Sequence, residues 1–127
     1  MRKEIIITKD APAPIGPYSQ AVKAGGLLFC SGQIPIISAS GEVVSSGIEA
    51  ETKQVMENIK ALLTAAGKDF SHIVKTTIFL TDMNDFTKVN EIYGSYFTKD
   101  FPARETVQVA RLPKDVRVEI SVTATAD

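Results

Sequence analysis

An arginine and a glutamate near the carboxyl end of the chain are the residues best suited to chemistry. Arg104 follows the stiff dipeptide Pro102-Ala103, and its planar guanidinium can bind a carboxylate through two parallel hydrogen bonds. Glu119 can hold or move a proton when it lies beside a reacting group. Such a pair could bind and activate a small molecule. A solvated ion pair is the commoner arrangement, and the two residues alone leave both interpretations open.

The segment that carries both residues, 101–120, reads FPARETVQVARLPKDVRVEI and alternates apolar and polar residues on either side of a turn. Its turn is predicted at 112–115, where Pro113 presets φ. We therefore predict a β-hairpin with one apolar and one polar face. Because a slip of one residue would flip a whole strand, any register that stacks the valines of both halves places Arg104 and Glu119 together on the polar face.

The rest of the chain must supply the elements that position this segment. Short runs of β-branched and apolar residues predict strands at 5–8, 20–24 and 27–31, with a tight turn at Gly25-Gly26. The proline-rich segment 11–17 should be extended and irregular, because proline removes a backbone donor and fixes φ. Residues 34–47 should form a loop with a small ribbon around Gly41.

Two helices and a further strand follow. Ser46 and Glu49 have capping-box spacing, and an apolar stripe then recurs at helical intervals up to Gly67, which suits a C-terminal cap. Residues 73–80 are apolar at positions of both parities, which favours a strand covered on both sides. Asp82 can cap a second helix. The inner face of this helix should comprise Phe86, Val89, Tyr93 and Phe97.

This order of elements predicts a single α+β domain over residues 1–127, with a mixed β-sheet and both helices on one face of it. The strands carry more apolar residues than one covered face needs. We therefore expect the opposite face of the sheet to pack against another subunit.

Composition excludes several classes of function. The net charge of −1 and the lack of a basic stripe argue against nucleic acid as a partner. The amino-terminal residues do not read as a signal peptide, and no apolar run approaches the roughly 20 residues of a membrane span. The single cysteine and single histidine, Cys30 and His72, cannot form a His/Cys metal cluster. We expect a cytoplasmic protein without a metal.

Other reactive residues receive structural interpretations. Ser31 and His72 lack the G-x-S-x-G turn of a hydrolase, and Cys30 lies inside an apolar strand where burial is expected. The basic residues around the predicted turn are interrupted by Asp115, so a solvated turn is favoured there. On the residues alone, a structural ion pair is the commoner expectation for Arg104 as well.

Four segments taken together resemble the reactive-intermediate (imine) deaminase family, RidA or YjgF-like, also labelled L-PSP endoribonuclease. They are APAPIGPYSQAV (11–22), SGQIP (31–35), VKTTIFLTDMNDFTKVNEIY (74–93) and FPARETVQVARLPKDVRVEI (101–120). The resemblance implies a chorismate-mutase-like fold with a ferredoxin-like arrangement. It further implies a homotrimer whose sheets pack into a central barrel, with clefts between subunits.

The implied reaction is hydrolysis of 2-imino acids, such as 2-iminopropanoate and 2-iminobutanoate, to 2-keto acids and ammonia, with no cofactor. Arg104 would hold the substrate carboxylate, and Glu119 would orient or deprotonate the attacking water. The resemblance assigns substrate contacts to Tyr18, Ser31, Gly32, Asn90 and Thr106.

The chain departs from many relatives beside the arginine, where Glu105-Thr106 replaces Ser-Cys. A thiol role is therefore impossible at Thr106, although a backbone contact survives the change. Glu105 should point to the face opposite Arg104. Two alternative functions stay open: an endoribonuclease or translation inhibitor, as the older label suggests, and a regulatory protein that binds small carboxylates without turning them over.

Overall fold

The computed structural model describes residues 2–127. It is built on one mixed sheet of six strands in the order β1-β2-β3-β6-β4-β5. Neighbouring strands are antiparallel except β4 and β5, which run parallel. The strands are β1 (Glu4–Ile6), β2 (Ala21–Ala24), β3 (Leu27–Gln33), β4 (Ile73–Leu80), β5 (Ala103–Gln108) and β6 (Val118–Thr125), and the two α-helices are α1 (Ile48–Ala65) and α2 (Phe86–Gly94).

The first half of the sheet follows the predictions from local sequence. The strands predicted at 20–24 and 27–31 correspond to β2 and β3, which pair as a hairpin. Gly25 and Gly26 both have positive φ, 58° and 78°, a combination that two-residue hairpin turns require and other residues rarely adopt. The ribbon predicted near Gly41 is confirmed as a single bridge between Ile36 and Val43.

The predicted apolar stripe of α1 is confirmed, and the helix ends where the sequence indicated. Gly67 has φ 74°, and the amide of Lys68 donates to the carbonyl of Leu63, which completes a Schellman cap. The predicted capping box is wrong. Gly47 is the N-cap residue and makes no side-chain cap, because the helix begins one residue later than Ser46 would need.

Both helices pack on the same face of the sheet, as predicted. α1 contributes Val55, Met56 and Ile59, all fully buried, and α2 contributes Val89 and Tyr93. The sheet supplies one side of β4 and β6, including Ile78 and Ile120. A buried carboxylate, Glu51 of α1, is neutralised by a 2.8 Å ion pair with Arg117 just before β6.

The predicted hairpin of β5 and β6 is wrong. β4 lies between them, with Ile78 beside Thr106 on one side and beside Ile120 on the other. After α2 the chain returns parallel to β4, as a strand-helix-strand connection requires, and then crosses β4 to reach β6. The segment predicted as a turn forms a short 3-10 helix, Pro113–Asp115, within that crossing.

The position of β4 between β5 and β6 also separates Arg104 from Glu119. Arg104 lies beside Thr76, which is buried under the helices, whereas Glu119 lies beside Phe79. Thr76 and Phe79 point to opposite sides of β4, because side chains alternate along a strand. Within one chain, Arg104 and Glu119 therefore lie on opposite faces of the sheet, and the predicted shared face is wrong.

The face opposite the helices is only partly covered within the chain. A small second core formed by Ile34, Ile36, Leu112 and Val116 packs against Phe79 at one end. Elsewhere the face exposes Ile5, Phe29 and Val107, each more than 40% accessible. Its packing against another subunit stays a prediction. In the part of the chain that the structure describes, no helix is both long and apolar enough to cross a membrane.

Candidate functional site

The first half of the candidate site lies between α2 and β5. A cavity of about 520 Å³ there is lined by Asn90, Tyr93, Gly94, Phe101, Pro102 and Arg104. The guanidinium carbon of Arg104 lies 5.2 Å from the ring centroid of Tyr93 and 5.7 Å from that of Phe86. The ion pairs formed among residues 2–127 do not include Arg104. Its fork of N–H donors is therefore available to a carboxylate.

Strand order explains why Arg104 lies at this cavity. β5 is the edge strand, and its even-numbered residues face the helices, so the side chain of Arg104 lies beside α2 and is only partly exposed. Thr106 follows on the same face, and its Oγ1 is buried without a hydrogen-bond partner in the described chain. Glu105 points the other way, as predicted, and forms a 2.9 Å ion pair with Lys75.

The second half lies on the other face, between β3, β6 and the irregular segment before β2. Its cavity of about 300 Å³ is lined by Ile15, Tyr18, Ser31, Gly32, Ile34, Pro113 and Glu119. The pairing of β3 with β6 is irregular between Cys30 and Gln33, the stretch that contains Ser31 and Gly32. Such bulges change the direction in which the strand presents its residues. An added Cβ at Gly32 would collide with Oε2 of Glu119, so a side chain at this position would displace the carboxylate.

Glu119 has the electrostatic character of a proton-transfer group. Its side chain is half-buried, and it forms no ion pair among the residues that the structure describes. Burial therefore raises the pKa of the Glu119 carboxyl above its usual value, since desolvation disfavours the charged form. A raised pKa brings a carboxyl group closer to the neutral pH at which it can both accept and return a proton.

Hydrogen bonds to the backbone hold the remaining groups of this half. The hydroxyl of Ser31 donates to the carbonyl of Ser19 at 2.6 Å, and the hydroxyl of Tyr18 accepts from the amide of Ile15 at 3.2 Å. The buried side-chain amide of Gln20 donates to the carbonyls of Thr8, Ala11 and Pro12. The irregular segment is thus fixed against the sheet with Tyr18 at the cavity.

The predicted site residues therefore fall into two groups. Asn90 lies with Arg104, whereas Tyr18, Ser31 and Gly32 lie with Glu119. Thr106 lines neither cavity. Cys30 is buried as predicted, and burial raises the pKa of its thiol to about 12, so it is an unreactive core residue. No cluster of His, Cys, Asp or Glu suited to a metal occurs in residues 2–127.

Sequence reasoning missed the aromatic neighbours of Arg104. The sequence predicts Phe86 and Tyr93 on the inner face of α2. It does not predict that this face contacts Arg104 of β5, because that depends on the order of the strands. Phe101 and Pro102 complete the wall and lie within the segment already singled out. The one sequence feature that pointed to these rings was the spacing of aromatic residues along one face of α2. Such a stripe usually indicates packing against the hydrophobic core and not a binding site.

Comparison with known proteins identifies the family. The family model described as Endoribonuclease L-PSP matches residues 8–126. The chain belongs to this family, which also carries the names RidA and YjgF. A RutC family protein of Pyrococcus horikoshii is 56% identical over 96% of this chain and 97% of its own length.

Two further relatives of this RidA-like chain bear on function. The human 2-iminobutanoate/2-iminopropanoate deaminase is 50% identical over 96% of this chain and 89% of its own length. The crystal structure of Escherichia coli TdcF with bound serine has a TM-score of 0.93 at 43% identity, covering 98% of this chain and 99% of that one. The α+β fold with a six-stranded sheet and two helices is thus the fold of solved family members.

Gly32 provides a test of how this RidA-like chain positions Glu119. We expect Gly32→Ala to lower the free energy of unfolding by about 1–3 kcal/mol, the usual cost of overpacking, because the new Cβ pushes the Glu119 carboxylate from its place. Urea unfolding would measure this loss of stability. In a Glu119→Ala background the collision is gone, so Gly32→Ala should cost little further stability. An equal stability loss in both backgrounds would contradict this account.

Proposed function

We propose that this RidA-like chain hydrolyses 2-imino acids, such as 2-iminopropanoate and 2-iminobutanoate, to 2-keto acids and ammonia. The observation that carries the proposal is the Arg104 guanidinium, which lies over two aromatic rings at a cavity with no acid paired to it. Free amino and imino acids share the carboxylate that this group would bind. Support comes from the human relative named as a deaminase of these substrates and from TdcF, which holds serine.

We further propose that each active site forms between two copies of the chain in a homotrimer. Arg104 and Glu119 lie on opposite faces of one sheet, so one chain cannot present both to the same small substrate. A neighbouring copy that covers the exposed face with Phe29 and Val107 could bring its own cavity to the first. The Arg104 half of one chain and the Glu119 half of the next would then enclose one cleft.

The chemistry follows from the groups in such a cleft. Arg104 holds the substrate carboxylate and fixes the C=N carbon near Glu119. The Glu119 carboxylate takes a proton from water as the water oxygen bonds to that carbon, and the proton passes to nitrogen. The C–N bond of the resulting carbinolamine then breaks and ammonia leaves with the bonding electrons. Glu119 takes the hydroxyl proton as the C=O bond of the keto acid forms, and passes it to the ammonia, which leaves as ammonium. A protonated imine is already electrophilic, so the step needs no metal or organic cofactor.

Mixed trimers test the shared site directly. Arg104→Ala and Glu119→Gln chains are each expected to be inactive, and refolding them together at equal amounts should restore about one quarter of the wild-type activity. Each site in a cyclic trimer needs Arg104 from one chain and Glu119 from its neighbour. In an equal mixture each of these residues is intact in about half of the chains, so about one quarter of the sites contain both. Ammonia release from freshly generated 2-iminobutanoate, measured on trimers isolated by size-exclusion chromatography, would give the result.

A matched mixture controls for refolding. Wild-type chains mixed with chains carrying both substitutions should also retain about one quarter of the activity if the cleft is shared, but about one half if each chain is self-sufficient. Absence of complementation in the first mixture, with half activity in the second, would overturn the shared cleft. Wild-type protein that fails to accelerate ammonia release would overturn the deaminase itself.

The family description favours RNA cleavage as a second candidate. The charges of the described chain offer little support, because Arg111 is paired with Asp115 and Arg117 with Glu51, which leaves no basic stripe there for a phosphate backbone. RNA cleavage that survived nuclease removal and was lost with Arg104→Ala would favour this candidate. Binding of a keto acid with no imine turnover would instead favour a regulatory carboxylate sensor.

A further inference from the structure

Two aromatic rings contact Arg104, and the meaning of this contact rests on the proposed role of Arg104 as the carboxylate receptor. A long arginine side chain at a sheet edge would ordinarily lose considerable freedom on binding a ligand. Here its guanidinium carbon lies within 6 Å of two ring centroids, those of Tyr93 at 5.2 Å and Phe86 at 5.7 Å. That separation is the range in which aromatic rings attract a cation.

The Tyr93 ring is itself fixed by the strand beside Arg104. Tyr93 is 4% exposed, and its hydroxyl lies 2.9 Å from Oγ1 of Thr76. Thr76 is fully buried and is the residue of β4 directly paired with Arg104. Burial raises the pKa of the Tyr93 hydroxyl, so it remains a neutral donor to Thr76 at physiological pH. Arg104 and Thr76, which holds the Tyr93 ring in place, are thus paired neighbours in the sheet.

The arrangement leaves the donor edge of the guanidinium unused. An arginine whose charge was balanced by an acid would have to lose that partner before it could accept a substrate carboxylate. Aromatic faces attract the cation electrostatically and supply no oxygen or nitrogen acceptor that would compete with a carboxylate for its N–H groups. Arg104 can therefore be oriented and still have its hydrogen bonds available.

We propose that Tyr93, anchored by Thr76 and assisted by Phe86, is a positioning residue that holds Arg104 ready for the substrate carboxylate. The two rings thereby set the affinity of the site for small carboxylates rather than the rate of the proton transfers.

Truncation of the rings tests this assignment. We expect Tyr93→Leu and Phe86→Leu each to raise the Kd for 2-oxobutanoate, measured by calorimetry, by about 3- to 30-fold, the range that a cation–π contact supports. The KM for 2-iminobutanoate should rise in parallel while kcat changes by less than about twofold. Tyr93→Phe keeps the ring but loses its hydrogen bond to Thr76, so its affinity should fall between those of the wild type and Tyr93→Leu. This split between KM and kcat, with recovery in the conservative variant, is not expected from general loosening of the fold.

Phe70→Leu is the matched control. Phe70 is partly buried in the same aromatic cluster, against Tyr96 and Phe97, and is not among the rings over Arg104. It should lower the melting temperature without changing the Kd. An equal rise in Kd for Phe70→Leu, or an equal loss in Tyr93→Phe and Tyr93→Leu, would overturn the positioning role.

Unchanged affinity in folded Tyr93→Leu and Phe86→Leu would also overturn it. If Tyr93→Leu does not fold, Phe86→Leu decides by itself, because this ring is only partly buried. Failure of the proposed function has a different signature, namely that Arg104→Ala retains full imine turnover. The two hypotheses are therefore tested separately in one set of variants.

Discussion

Replacing Arg104 with alanine is expected to lower kcat/KM for 2-iminobutanoate by about a hundredfold or more. A charged partner lost from a desolvated, hydrogen-bonded ion pair typically costs about 2–5 kcal/mol, and each 1.4 kcal/mol is about tenfold. The substitution removes the only group of its cavity that carries a positive charge, while the neighbouring Asn90 can replace only part of the hydrogen bonding. Ammonia release and keto-acid formation, followed together, would measure the loss.

Stability should change little in the same variant. Arg104 makes no ion pair in the described part of the chain, so its loss leaves no buried acid without a partner. Arg111→Ala is the matched control, because this exposed arginine pairs only with exposed Asp115 on the surface. Its kinetics should match those of the wild type. Full activity in folded Arg104→Ala would contradict the proposed function.

Replacing Glu119 with glutamine is expected to lower kcat by about a hundred- to ten-thousand-fold, the usual contribution of general acid–base catalysis. Glutamine has nearly the same shape as the glutamate, so the space beside Gly32 stays filled, but it cannot accept the proton of the attacking water. The KM should change far less than kcat. Glu49→Gln, on the exposed side of α1, is the control and should keep wild-type kinetics.

The same substitution should stabilise the fold at neutral pH. Because burial raises the pKa of Glu119 in the folded protein, folding favours its protonated form, and this contribution to stability is lost as the pH rises through the folded pKa. Glutamine does not ionise, so Glu119→Gln should match the wild type below the unfolded pKa and exceed it above the folded pKa. Urea unfolding across this range would measure the difference. A variant less stable at neutral pH than at acidic pH, relative to the wild type, would contradict this account.

Local sequence was sufficient for most individual elements. The Gly25-Gly26 turn, the apolar stripe of α1 and the strand at 73–80 all formed where predicted, because each depends on backbone conformation or periodicity within a few residues. The helix start at Ile48 was missed by the capping-box pattern. A two-residue cap signal is weak when a glycine beside it can begin the helix without a side-chain bond.

Local sequence did not predict which strands lie side by side in the sheet. Alternation in 101–120 correctly indicated two strands, but it carries no information on which strand lies beside each, and the apolar residue Val107 of β5 is exposed rather than buried with the valines of β6. The hairpin assumed that strands close in sequence are paired, whereas the long apolar strand β4 took the place between them. β4 pairs along both of its edges, with β6 on one side and β5 on the other, so β5 and β6 do not contact each other as a hairpin would require.

The sequence by itself determined the family of the chain and indicated the residues of the candidate site. Arginine, glutamate, tyrosine and serine were identified at fixed positions, and the match over residues 8–126 confirms the family. Only the tertiary structure decided that Arg104 and Glu119 face opposite sides of the sheet, each in a separate cavity. The reason is physical: side-chain parity is a local property of a strand, but the face it meets depends on the neighbour across the sheet. The aromatic support of Arg104 likewise exists only because α2 packs over β5.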